Sequence, residues 1–188
     1  MRLGFLVLLM LLITACSSIN HSNTAIPLDQ YSQYYLQKIP TALHNQASLQ
    51  KLTITSAQGK HELLLQTELR ENTISMVGLS PAGLVLFNMR WSVEAGLTVE
   101  SKVALNELKP EIMLAFYQLA VWPLTDIQAG LSGLKVSLSP SDNRKREFYL
   151  HDVLIFSVLH QEQHSQMIHL RDHYQIDILT LQQTQLEN

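Results

Sequence analysis

Several groups of residues in this 188-residue chain are of types that carry chemistry, and each has a spacing that can be tested. Gly78-Leu79-Ser80-Pro81-Ala82-Gly83 places a serine between glycines, in the outline of a hydrolase nucleophile turn. Its second glycine stands one position late, its flanks read strand-turn-strand, and Pro81 has no N–H to offer an oxyanion. A β-turn with Pro81 at its first corner and Gly83 at its exit is the expectation. Of eight histidines, His160, His164, His169 and His173 lie closest together. On a strand His169 and His173 would point the same way about 13 Å apart, too far to share one ion. They are expected as exposed strand or hairpin residues, with no metal. His151-Asp152 diverge on a strand and make no dyad. Arg144-Lys145-Arg146 is the single basic cluster, expected at a solvated hairpin tip, with contact to anionic headgroups as the alternative. The carboxylates show no acid–base spacing and no glycine loop cradles a phosphate. No catalytic residue and no cofactor is expected, and an enzyme is not the expectation.

The one residue with a specific covalent chemistry is Cys16, the only cysteine in the chain. Met1-Arg2 gives a positive start and Leu3 to Ile13 an apolar run. That run falls short of the roughly 20 residues a membrane-spanning helix needs, and reads as a secretory signal. It closes on Ile13-Thr14-Ala15-Cys16, which matches the lipobox of bacterial lipoproteins. The match implies cleavage before Cys16, acylation of that cysteine, and a firm membrane anchor. Ser17 after the cysteine is similar to the residue that directs Gram-negative lipoproteins to the outer membrane.

The rest of the chain must be what the anchor carries. Hydrophobic residues make up 46% and charged residues 15%, with a net charge of -3, so a folded core is expected and nucleic acid is not an expected partner. Residues 1–15 are expected as signal peptide, 16–28 as lipidated cysteine and flexible tether, and 29–188 as one domain. Tyr31, Tyr34 and Tyr35 fall at helical spacing, which predicts a short helix before Pro40. From Leu49 the period becomes two. Leu63, Leu65, Thr67 and Leu69 share one side, and turns at Gln58-Gly59, Ser80 to Gly83 and Glu94 to Gly96 make a meander. Leu84-Val85-Leu86-Phe87 is apolar on both faces and predicts cover on both. A helical insert near 108–131 interrupts, with Pro110 in a first turn, Pro123 as a stop, and a second short helix over Leu124 to Leu131. Strands then resume to Leu181.

An apolar set remains. Phe116, Leu119 and Trp122 line one flank of the insert, and Phe87, Met89 and Trp91 alternate along a strand. They are either the packed core beneath a helix or the lining of a slot for a long apolar molecule.

Val77-Gly78-Leu79-Ser80-Pro81-Ala82-Gly83, Leu86-Phe87-Asn88-Met89-Arg90-Trp91 and Leu119-Ala120-Val121-Trp122-Pro123, in this order and with the lipobox, carry a resemblance. The chain from about Leu49 to Leu181 resembles a family of small proteobacterial lipoproteins of unknown function whose genes accompany aryl-polyene biosynthesis. Asp172-His173-Tyr174 departs from that family's glycine-tyrosine start to the last strand. The layout is also similar to the lipoprotein-localisation proteins LolA and LolB. That resemblance implies a mainly β single domain, an incomplete antiparallel β-barrel (half-barrel) covered by one or two helices. It also implies a protein held at the periplasmic face of the outer membrane that binds or transfers a lipid-like molecule or another lipoprotein. The apolar six would line its cavity. The rival expectation is a docking module of a membrane transport or biosynthesis complex that carries nothing.

Overall fold

The computed structural model describes residues 24–102 and 109–187. The expected signal peptide, Cys16, the tether as far as residue 23 and the first part of the insert lie outside the described residues.

Two short strands open the described chain, β1 (Ala25–Pro27) and β2 (Gln33–Tyr35), followed by a single 3-10 turn at Thr41–Leu43. A meander follows: β3 (Gln46–Ser56), β4 (Gly59–Leu69), β5 (Ile74–Leu79), β6 (Val85–Ser92) and β7 (Gly96–Ser101). Helices α1 (Pro110–Val121) and α2 (Leu124–Gly130) lead into β8 (Leu131–Ser132). A second meander closes the chain: β9 (Lys135–Ser139), β10 (Asp142–Leu150), β11 (Val153–His160), β12 (His164–His169) and β13 (Tyr174–Gln185). The two meanders join through β3 and β13 into one ten-stranded sheet of order β7-β6-β5-β4-β3-β13-β12-β11-β10-β9, and β1-β2-β8 form a separate three-stranded sheet. The large sheet is antiparallel throughout and does not close on itself among the described residues. The expected open half-barrel with a two-helix cover is therefore the observed architecture.

Alternation positions the core. Leu63, Leu65, Thr67 and Leu69 of β4 are buried, as are Ile74 and Met76 of β5 and Phe87, Met89 and Trp91 of β6. Gly78 opposes Phe87 across the β5–β6 ladder, and the Phe87 ring occupies the space a β-carbon at 78 would need. The glycine of the Gly78–Gly83 stretch is thus a seat for an aromatic ring. Ser80 to Gly83 is the expected β-turn, closed by Gly83 N–H donating to Ser80 O at 2.8 Å and Leu84 N–H to Ser80 Oγ at 3.1 Å.

Four expectations need correction. Tyr31, Tyr34 and Tyr35 form no helix. Ile26, Tyr34 and Leu36 are buried on one side of an extended hairpin whose turn Asp29 closes, accepting from Tyr31 N–H at 2.7 Å and from Ser32 Oγ–H at 2.9 Å. Period two with an Asx-type turn outweighs the accidental helical spacing. The tether does not extend over Ala25 to Leu28, because Ile26 and Leu28 are core residues. Leu84 is 69% exposed in the turn before β6, and of Leu84 to Phe87 only Phe87 is buried, Val85 and Leu86 being half-buried. His151 and Asp152 are not strand residues; both have positive φ and form the two-residue turn between paired Leu150 and Val153.

Candidate functional site

Helix α1 is the cover of the sheet, and its sequence explains both its ends. Pro110 occupies the first turn, where its missing N–H costs nothing, and the chain leaves the helix at Trp122-Pro123. Between them Met113 to Ala120 are all buried, a helix with almost no solvent face. Phe116 meets Phe156 and Tyr174 with ring centroids 6.2 and 6.3 Å away, and Phe156 stacks on Phe148 at 4.2 Å. The six apolar candidates all fall in this core: Phe87, Met89, Trp91, Phe116, Leu119 and Trp122 are each buried. The structure brings them together in one buried core.

Hydrogen bonds fasten α1 through its second half. Gln118 Nε2 donates to Gln37 O at 3.0 Å and Gln118 Oε1 accepts from Gln37 N–H at 2.8 Å. The Trp122 indole donates to Lys38 O at 2.9 Å. Arg146 Nη1 reaches the helix carbonyls of Leu119 and Ala120 at 2.7 and 2.8 Å, a cation at the negative end of the helix dipole. Burial lowers the pKa of this guanidinium, with a smaller opposite effect from Tyr34. The basic cluster therefore divides. Arg144 stays at the surface, paired with Asp142 at 3.0 Å, while Arg146 turns inward to clasp the helix. The signal was present, since Arg146 lies two residues from Phe148 and shares its side of β10. The first half of α1 offers Ile112, Met113, Leu114 and Phe116, side chains with no hydrogen-bonding group.

Beside this clasp lies a pocket of about 220 Å³ that sequence reasoning missed. It is lined by the second half of α1 (Tyr117, Val121), by the start of β3 (Ser48, Gln50) and by Thr180 and Gln183 of β13. None of the six apolar candidates lines it. A bulge between Thr180 and Gln182, where β13 shifts register against β3, opens the two strands there. The Tyr117 hydroxyl is pushed up to about 12 by burial, against a smaller lowering from the neighbouring Ser48 hydroxyl.

The histidines are corrected in part. His169 is 1% exposed, its ring stacked between Phe156 and Tyr174 at 5.6 and 4.8 Å. Its Nδ1 accepts from Asp172 N–H at 3.1 Å, which places the ring proton of the neutral form on Nε2. Burial lowers its pKa, and the carboxylates of Asp172 and Asp29 oppose that shift. His160, half-buried beside Ser165 Oγ at 2.7 Å, is lowered by burial and then by Arg146. The aromatic sandwich, not exposure, accounts for His169.

A family model matches residues 47–182, a span that runs from the second residue of β3 to within three residues of the end of β13. The chain belongs to the DUF3261 family, described as proteins of unknown function. The match takes in the Gly78–Phe87 seat, α1 and the Arg146 clasp, whereas the β1–β2 hairpin precedes it. Comparison with curated proteins finds no match. Among solved structures, the chain is similar to a crystal structure described as that of an outer membrane lipoprotein-sorting protein domain from Vibrio parahaemolyticus. The identity is 9%, the TM-score 0.41, and the similarity covers 77% of this chain and 86% of that one.

Proposed function

We propose that this DUF3261 protein is a non-enzymatic lipoprotein, anchored through Cys16 in the outer membrane, that binds or hands over a lipid-like or acylated molecule at the periplasmic face. An aryl-polyene lipid or the acyl group of another lipoprotein is the cargo class. The observation that carries the reading is the uneven fastening of α1: a polar clasp at its second half, and at its first half the apolar Ile112, Met113, Leu114 and Phe116 beside a single carboxylate, Glu111, over the apolar face of an open sheet. Such a cover pivots on its clasp. Lifting Met113, Leu114 and Phe116 forfeits about 5–9 kcal/mol at roughly 1.5–3 kcal/mol per side chain. An acyl chain of about fifteen methylenes returns about 12 kcal/mol at about 0.8 kcal/mol each. The exchange of helix for acyl chain is therefore favourable for a chain that would otherwise lie in water, as it does between two membranes.

A second reading, a docking module of a membrane transport or biosynthesis complex, is favoured by a specific observation: all six apolar candidates are packed as core. One experiment separates the two. The full-length chain is isolated from the membranes of its own host, released from detergent in native mass spectrometry, and extracted with organic solvent. A stoichiometric non-covalent adduct that the solvent removes as an acylated or polyene molecule supports carriage. A bare mass, with no uptake of added lipids, sinks carriage and leaves the docking module.

A further inference from the structure

The pocket beside the clasp contains an oddity that the packing of α1 does not explain. Gln50 is only 7% exposed and lines the pocket, yet its Oε1 has no hydrogen-bond partner. Its amide nitrogen donates to Thr180 Oγ1 at a long 3.4 Å. One strand away, directly opposite Ser48 in the β3–β4 ladder, Thr67 is fully buried with an equally unpartnered Oγ1. Leaving a buried polar atom unpaired costs about 1–3 kcal/mol, and a folded core rarely retains two such atoms on adjacent strands without a use for them.

We propose that this pocket binds a neutral, polyhydroxylated group, a glycerol or sugar moiety, with Gln50 as its principal hydrogen-bonding partner. The chemistry of the lining selects the class. A hydroxyl both donates and accepts, so it pairs with the free end of the Gln50 amide whichever way that amide is turned. No lysine or arginine lines the pocket and the one charged lining residue is Glu162, so an anionic group is disfavoured. Leu43, Leu69 and Val121 give the carbon-bearing faces of a polyol an apolar floor. At about 220 Å³ the space is below the roughly 300–1,000 Å³ that encloses a whole drug-sized ligand, and suits a headgroup. Tyr117 and Val121 put it against the clasped half of α1, where the headgroup of an amphiphile would sit while its chain lies under the free half. In that last respect the inference rests on the carriage reading; the pocket itself does not.

Saturation-transfer NMR tests it, on the full-length chain in nanodiscs of deuterated lipid. The probes are methyl β-glucoside and glycerol, with glucose 6-phosphate and ethanolamine as charged comparators. Transfer to the glucoside and glycerol is expected, with affinity at least fivefold weaker in Gln50→Leu. That variant removes an unpaired oxygen, so its thermal midpoint without ligand is expected to equal or exceed the wild type, which shows that it folds. Transfer to neither polyol, an equal response from Gln50→Leu, or preference for a charged comparator overturns the assignment. Polyol binding by a chain that yields no extractable lipid leaves the pocket standing and removes carriage. Extractable lipid without polyol binding does the reverse.

Discussion

Replacing Arg146 by methionine tests whether the clasp on α1 has the strength its geometry implies. Methionine keeps an unbranched apolar stem and deletes the guanidinium. Two bonds are lost, at 2.7 and 2.8 Å, to carbonyls that the helix itself leaves unsatisfied. Hydrogen bonds to a charged group contribute about 1.5–3 kcal/mol each, and a cation at a partly buried helix C-terminus adds up to about 2 kcal/mol. Against this gross loss stands the cost of holding a cation away from water, the same cost that lowers the Arg146 pKa. A net destabilisation of about 2–3 kcal/mol is expected, which for a chain of this size lowers the thermal midpoint by about 5–10 °C. Urea unfolding followed by the fluorescence of buried Trp91 and Trp122 measures it. Hydrogen exchange should locate the change in the amides of α1. Arg144→Met, removing a surface partner of Asp142, is the control and should leave the midpoint where it was. If Arg146→Met unfolds within about 0.5 kcal/mol of the wild type, the clasp contributes nothing and the pivot loses its basis.

Further outcomes follow from other features. Tyr34→Phe removes a buried hydroxyl without a partner, and is expected to leave stability unchanged or raise it by up to about 1 kcal/mol in the same urea assay. Gly78→Ala drives a methyl into the Phe87 ring and should cost about 1–3 kcal/mol, with a companion Phe87→Leu restoring part of it. Burial lowers the pKa of His169 and His160, so the folded state holds fewer protons than the unfolded one below the ordinary histidine value near 6.5. Stability is therefore full above about pH 6.5 and falls as the pH drops below it; His169→Phe should flatten that fall in a pH series of urea midpoints. Exchanging residues 1–16 for a cleavable secretory signal that leaves no cysteine should move the protein from the membrane pellet to the soluble fraction, and retention in the pellet would remove the lipid-anchor reading.

Much of the fold was legible because alternation is a local signal. Leu63-Leu65-Thr67-Leu69 and Phe87-Met89-Trp91 marked buried faces before any partner strand was known, and the prolines at 110 and 123 bracketed α1. What failed was short or ambiguous. The three tyrosines near residue 31 satisfy a helical spacing by coincidence, and only the Asx-type turn at Asp29 and the pairing with β8 decide for strands. The candidate site was legible as a set of apolar residues but not as a geometry. Polar residues facing inward, Gln50, Gln118 and Arg146, look like ordinary surface residues until the opposing backbone carbonyls and hydroxyls are in place. His169 was read as exposed because a histidine's burial depends on which rings flank it, and those come from β11 and from Tyr174.

The order of strands in the large sheet has a consequence for how the chain matures. Its central ladder pairs Gln46–Ser56 with Tyr174–Gln185, segments from the two ends of the domain, while every other ladder of the large sheet joins sequence neighbours. The meanders β3 to β7 and β9 to β13 can each assemble locally, but the sheet that α1 covers exists only once the last 12-residue strand has been delivered. Ladders of such long sequence separation form slowly. Until β13 is in place the two meanders are half-sheets with unpaired inner edges, a state open to chaperones and to pairing with other strands. Shortening β13 should leave the chain in that state, two half-sheets that never become one.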